Sequence, residues 1–282
     1  MFLVTQLIGL VVINIYSQKE LPYGMQPPEI KPEISLISII IALTAAVFLI
    51  FLLMKYKIII LLRLWFFFVV VIALSLTINS FILKLNYSDY ISLIIALPLA
   101  FFKIFKRNIL VHNITELLIY PGIAAVFVPI LSIWSIILLL ILISIYDIYA
   151  VWHSGFMQKM AMFQIKKLRL FTGFFVPYLG KKERQKIKLL KQKYKEKKEK
   201  LKNVKIKVNL AILGGGDIVF PIMLAGVVLK SLGLYQALTI SIFATLSLLF
   251  LFIAARKGKF YPAMPFITAG CFLGLLVAWL VF

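Results

Sequence analysis

The sequence predicts an all-α polytopic membrane protein with nine transmembrane helices. Three observations carry that expectation. The 282-residue chain is 63% hydrophobic with a mean hydropathy of +1.04, where a soluble domain of this size runs nearer half apolar. Its apolar stretches run unbroken over lengths that cross ~30 Å of hydrocarbon at ~1.5 Å per residue. Its Lys and Arg residues concentrate in alternate connections between those stretches, as cytoplasmic loops require.

Taken in order, the apolar segments run over residues 1–16, 34–54, 58–83, 90–105, 109–130, 132–153, 206–229, 232–255 and 260–282. The first is short. It lacks the positive start and small-residue cleavage site of a signal peptide, so it counts as a span. Even-numbered connections carry Lys55 and Lys57, then Lys103, Lys106 and Arg107, then a large basic loop, then Arg256, Lys257 and Lys259. Odd-numbered ones carry Lys19 and Lys31 among three glutamates, Lys84 beside Asp89, and Lys230. The alternation puts the N-terminus and the basic loop in the cytoplasm and the C-terminus outside, in an integral protein of the cell membrane. Three regions follow: spans one to six over 1–153, the loop over 154–205, and spans seven to nine over 206–282.

The formal charge of +21 invites a nucleic-acid reading, and its distribution argues against one. Residues 181–207 hold 14 Lys and Arg against 3 Glu. A basic block beside membrane helices faces anionic lipid headgroups. The preceding stretch mixes aromatic residues with Lys159, Lys166, Lys167 and Arg169, which suits a segment lying in the interface. The block itself lacks Pro and Gly and reads as a solvated helix. Cys271 is the only cysteine, so neither an internal disulfide nor a cysteine-based metal site can form.

Seven of the ten acids lie in connections. Glu116, Asp147 and Asp217 do not. An ionised Asp at mid-bilayer costs about 2.5–3.5 kcal/mol even on the lenient insertion scale, so such residues are functional candidates by default. Asp147 lies late in the sixth segment, in "ILISIYDIYAVW", and Asp217 near the middle of the seventh, in "LAILGGGDIVFP". The two segments are consecutive and antiparallel, and at ~1.5 Å per residue the depths of the two acids differ by only ~8 Å. Both can reach one cavity in the cytoplasmic half of the membrane. Two carboxyls there cannot both ionise cheaply; a single proton held between them, titrating with the pair as a unit, is the expected state. The ionised member can take a proton from water while the protonated one hydrogen-bonds a substrate carbonyl, the division of labour in aspartic proteases.

Gly214, Gly215 and Gly216 remove three successive side chains before the acid, which admits another backbone and loosens the helix. Pro221 weakens the helical ladder at the same depth. Peptide hydrolysis inside a membrane requires a substrate helix to unwind, and its freed backbone groups need partners. An exposed strand-like edge would supply them.

Three marks therefore stand in order: Tyr146-Asp147 in the sixth segment, Gly214-Gly215-Gly216-Asp217 in the seventh, and Pro262-Ala263-Met264 at the ninth. The set resembles the presenilin and signal peptide peptidase family of intramembrane aspartyl proteases, whose marks are Tyr-Asp, Gly-x-Gly-Asp and Pro-Ala-Leu in those spans. Met264 replaces the usual Leu, a swap that conserves volume and apolarity and implies altered fit without loss of activity. Segment number, motif order and the large loop extend the resemblance over most of the chain. It implies a presenilin-like fold and an endopeptidase that cuts single-span transmembrane helices, membrane-protein fragments or signal peptides, within the bilayer. It also implies that Asp147 and Asp217 are catalytic. Tyr146, Gly214, Gly215, Gly216, Pro262, Ala263 and Met264 then shape the site or receive substrate. No cofactor, metal or obligatory protein partner is implied. Lysine-rich composition and small size look more like an archaeal member than a subunit of the large eukaryotic complex.

Two other functions use similar residues. A proton- or cation-coupled transporter or channel could use the two aspartates as a relay, but transporters often show repeats with paired broken helices and only one break is evident. Prepilin-type peptidases also use Gly-x-Gly-Asp, in shorter chains with the first Asp nearer the N-terminus. His112 and Glu116, four apart in the fifth segment, read as a structural polar pair, because a metal would want more ligands at compatible spacing.

Overall fold

The computed structural model describes residues 1–25, 59–106, 108–153, 172–178, 209–255 and 261–281, with six further positions from 38 to 49. The expected second span and most of the basic loop lie outside these residues. The described helices are α1 (Phe2–Gln18), α2 (Ile59–Ile82), α3 (Ser88–Phe105), α4 (Ile109–Phe127, continued by a 3₁₀ turn over Val128–Ile130), α5 (Ile133–Trp152), α6 (Gly216–Ser231), α7 (Leu234–Ala254) and α8 (Ala263–Val281). Six of them, all but α1 and α6, are long and apolar enough to cross a membrane. The starts of α4 and α5 are capped by side chains. Asn108 accepts the N–H of Leu110 at 2.9 Å, and Ser132 that of Ser135 at 3.1 Å, each satisfying a donor the helix cannot.

The expectation of an all-α chain needs correction. Strands β1 (Gly173–Tyr178) and β2 (Asn209–Gly214) form an antiparallel pair in which Phe174 faces Leu213 and Phe175 faces Ile212. The seventh segment, expected as one helix over 206–229, is therefore strand β2 followed by the 16-residue α6. Three consecutive glycines explain the break. Each disfavours helix by roughly 0.5–1 kcal/mol relative to Ala, while β1 supplies the backbone partners that an extended segment needs.

Helix α6 forms the centre of the bundle and packs against α1, α4, α5, α7 and α8. Its Ile218, Ile222, Leu224, Ala225 and Val228 are fully buried, as expected of a helix that is apolar all round. Helix α1 lies parallel to it: Gln6 Nε2 donates to the Ile218 carbonyl at 3.2 Å, Gly9 admits Ile222, and Gly226 admits Ile13. A Cβ at either glycine would fall 2.5 Å from its neighbour. In lipid, such close packing of small residues stands in for the hydrophobic drive that operates in water. Exposed Tyr87, Tyr90, Trp134, Tyr235 and Trp279 gather at one set of helix ends, and Trp65, Tyr149 and Trp152 toward the other, as aromatic belts do at the two bilayer interfaces.

Candidate active site

Asp147 sits in the last turns of α5 and is 5% exposed. Its Oδ2 accepts the N–H of Met264 at 3.0 Å, and the N–H of Ala263 lies within electrostatic reach of the carboxyl. The local sequence explains the pairing. A helix start leaves its first four N–H groups without internal acceptors. Counted from Pro262, two of those four positions are prolines, Pro262 and Pro265, which carry no N–H. The two donors left belong to Ala263 and Met264; the second bonds Asp147 and the first lies within its electrostatic reach. One turn earlier, Ser144 Oγ donates to Thr268 Oγ1 at 2.8 Å, fixing the register of α5 on α8.

Asp217 arrives from a different kind of local structure. Sequence spacing put it near the middle of a helix; it lies in the first turn of α6, directly after the strand. Its Oδ2 accepts the N–H of Gly214 at 3.2 Å. The three glycines do different things. A Cβ on Gly214 would meet the Asp217 carboxyl at 3.2 Å, and one on Gly215 would meet the Tyr120 hydroxyl at 2.9 Å. At Gly216 the nearest atom would be 3.5 Å away, an ordinary contact. Helices α5, α6 and α8 pack on one another, and the carboxyls of Asp147 and Asp217 lie within electrostatic reach. Met264 is buried beside them, whereas Tyr146 is 55% exposed on the outer side of α5. The structure thus gathers both aspartates, the glycine corner and the Pro-Ala-Met helix start, and leaves Tyr146 outside the cluster.

The strand pair is held by α4. Asn113 Nδ2 donates to the Phe175 carbonyl at 2.9 Å, and the Phe175 N–H donates to Asn113 Oδ1 at 3.1 Å. His112 Nε2 bonds the Gly173 carbonyl at 2.8 Å. Phe175 therefore turns its backbone away from β2. In an antiparallel pair, opposite residues share that choice, so Ile212 turns its N–H and C=O away from β1. Gly214 has the same parity, and its N–H indeed leaves the sheet for Asp217. Pro177 shares the parity on β1, so the N–H it lacks would not have joined the ladder. Among the described residues no further strand adds to β2, whose open edge ends at Asp217.

The His112–Glu116 pair has a third member that sequence reasoning placed in a loop. Lys103, in the last turn of α3, is buried and ion-pairs with Glu116 Oε1, while His112 Nε2 lies 3.6 Å from the same oxygen. The available signal was Lys103 lying inside the fourth apolar segment, facing an uncompensated acid in the fifth. An amine thus occupies the carboxylate.

The fold is that of the presenilin-type intramembrane aspartate proteases. Two solved structures described as a presenilin family intramembrane aspartate protease, in C222 and P2 space groups, superpose with TM-scores of 0.66 and 0.65. Each is 18% identical and covers 100% of this chain, and the matches take in 97% and 96% of theirs. No curated protein sequence matches. The family described as signal-peptide peptidase, presenilin aspartyl protease matches residues 1–282. The chain belongs to that family and is an intramembrane aspartyl protease, as the ordered motifs implied. Neither the transporter nor the prepilin-peptidase reading gains support.

Proposed function

We propose that Asp147 and Asp217 are the catalytic pair of an endopeptidase that hydrolyses peptide bonds within single-span transmembrane helices. The observation that carries this is the convergence of two carboxyls from neighbouring helices, each held by backbone amides. Asp147, bonded by the Met264 amide with that of Ala263 in electrostatic reach, suits the ionised member, and Asp217 the protonated one. Asp147 takes a proton from water as the water oxygen bonds to the scissile carbonyl carbon, and Asp217 gives its proton to the carbonyl oxygen. In the collapse of the resulting gem-diol, a hydroxyl proton returns to Asp217. Asp147 protonates the departing nitrogen, and the C–N bond breaks. Both aspartates finish as they began.

The open edge of β2 fits the other requirement of the reaction. An unwound substrate laid along Ile212, which is 44% exposed, would satisfy its freed backbone groups and run on to Asp217. Pro262, Ala263 and Met264 border the same corner and would receive substrate there. Exposed Tyr146 fits a substrate-facing role outside the pair. Nine spans, with the N-terminus and the 154–205 loop cytoplasmic and the C-terminus outside, complete the reading. The basic loop rests on anionic headgroups, and no protein partner is needed.

The test is cleavage of a fluorescent single-span peptide by purified protein in detergent. Either Asp147→Ala or Asp217→Ala abolishes cleavage, and transition-state mimics of peptide hydrolysis inhibit the wild type. Cleavage persisting in both variants refutes the pair.

A further inference from the structure

Polar atoms buried in a membrane bundle take protein partners because lipid offers none. Among the described residues three buried side-chain atoms lack a hydrogen bond: Gln6 Oε1, Glu116 Oε2 and Tyr120 Oη. The last two belong to residues one turn apart on α4, whose side chains share a face. Tyr120 is 3% exposed, and its ring meets Phe174 edge-on with centroids 6.1 Å apart. The hydroxyl sits over the strand-to-helix corner that carries Asp217. There a Cβ on Gly215 would come within 2.9 Å of Oη and 3.0 Å of Cε1. The middle glycine is thus the opening that admits the phenol. Glu116 and, more weakly, Asp217 lie within electrostatic reach of it.

We propose that Tyr120 is a positioning residue of the site: its phenol donates to Glu116 Oε2 and accepts from protonated Asp217 across Gly215, holding that carboxyl toward Asp147. A hydroxyl has one proton to give and lone pairs to accept with. The chain Asp217–Tyr120–Glu116–Lys103 therefore provides for both orphan atoms on α4 and ties the acid of α6 to the buried ion pair between α3 and α4. No bond to Tyr120 forms or breaks in the reaction. Its contribution is geometric, and it rests on the two-aspartate reading above.

The test uses the full-length protein in detergent with a single-span peptide carrying a fluorophore and quencher, the active sites being counted by titration with a tight transition-state mimic. Tyr120→Phe keeps the ring and its Phe174 contact. It lowers kcat per site on the order of ten- to a hundredfold, the scale expected of a misplaced reacting group, with KM within about twofold and the melting temperature unchanged. Gly215→Ala displaces the phenol without removing it and lowers kcat in the same way. Because both act through one contact, the double variant is no slower than the slower single variant. Wild-type kcat in Tyr120→Phe, or a loss confined to KM, overturns the proposal. Asp147→Ala and Asp217→Ala are measured alongside. If both still cleave, the catalytic pair fails and this inference with it; if both are dead and Tyr120→Phe is fully active, only the inference fails.

Discussion

Asp147 Oδ2 accepts the backbone N–H of Met264 at 3.0 Å, so a carboxyl late in one helix caps the start of another that follows it by more than a hundred residues. The contact gives the Pro-Ala-Met stretch a physical role: two prolines strip the helix start of competing donors, and the Met264 amide between them binds the acid.

The first prediction removes that amide. Met264→Pro deletes one N–H where proline is sterically tolerated, in the first turn of a helix. A hydrogen bond to a charged group contributes about 1.5–3 kcal/mol. Met264→Ala, which loses the same buried side chain and keeps the amide, is the reference, and cleavage by the proline variant falls roughly 10- to 100-fold below it. Met264→Leu, which keeps both the amide and the volume, remains active. Equal activity in the proline and alanine variants would show that the amide does not hold Asp147.

A second prediction concerns the open strand edge. Ile212→Pro deletes an N–H that points away from β1, so the ladder survives and the preceding residue keeps an extended conformation. Peptide cleavage should drop at least about tenfold in kcat/KM, the equivalent of a lost hydrogen bond to substrate of ~1.4 kcal/mol, with the fold intact by thermal unfolding. Leu213→Pro removes a donor on the inward parity and a buried side chain, and should unfold the corner. An active Ile212→Pro enzyme would rule out substrate pairing on this edge.

The third tests the buried pair of Lys103 and Glu116. Lys103→Met strands a buried carboxylate, and breaking such a pair costs about 3–5 kcal/mol. Lys103→Met with Glu116→Gln removes both charges and recovers most of the loss. Denaturant unfolding in detergent reads both variants. Equal stabilities for the single and the double variant would show that the ion pair does not hold α3 against α4.

Much of this site was legible in the chain. Acids do not persist in apolar segments without a use, so Asp147 and Asp217 stood out by type and depth alone. The glycines marked a place where helix was disfavoured. The strand was not legible, because residues 209–214 are as apolar as a helix would be and only their pairing with β1 distinguishes the two. The buried role of Lys103 is hidden for a related reason. A lysine near a span end looks like every other cytoplasmic lysine until its partner is known.

Composition and spacing by themselves determined the bundle of apolar helices, the two intramembrane acids and the order of the motifs, since these depend on how each segment meets lipid and water. Tertiary structure alone decided which amides bind each carboxyl, which edge of β2 stays open among the described residues, that Tyr146 lies outside the cluster, and that Tyr120 stands over Gly215. Hydrogen-bond partners form across long stretches of chain, and parity and register within the packed bundle select them. No local pattern of residues records that choice.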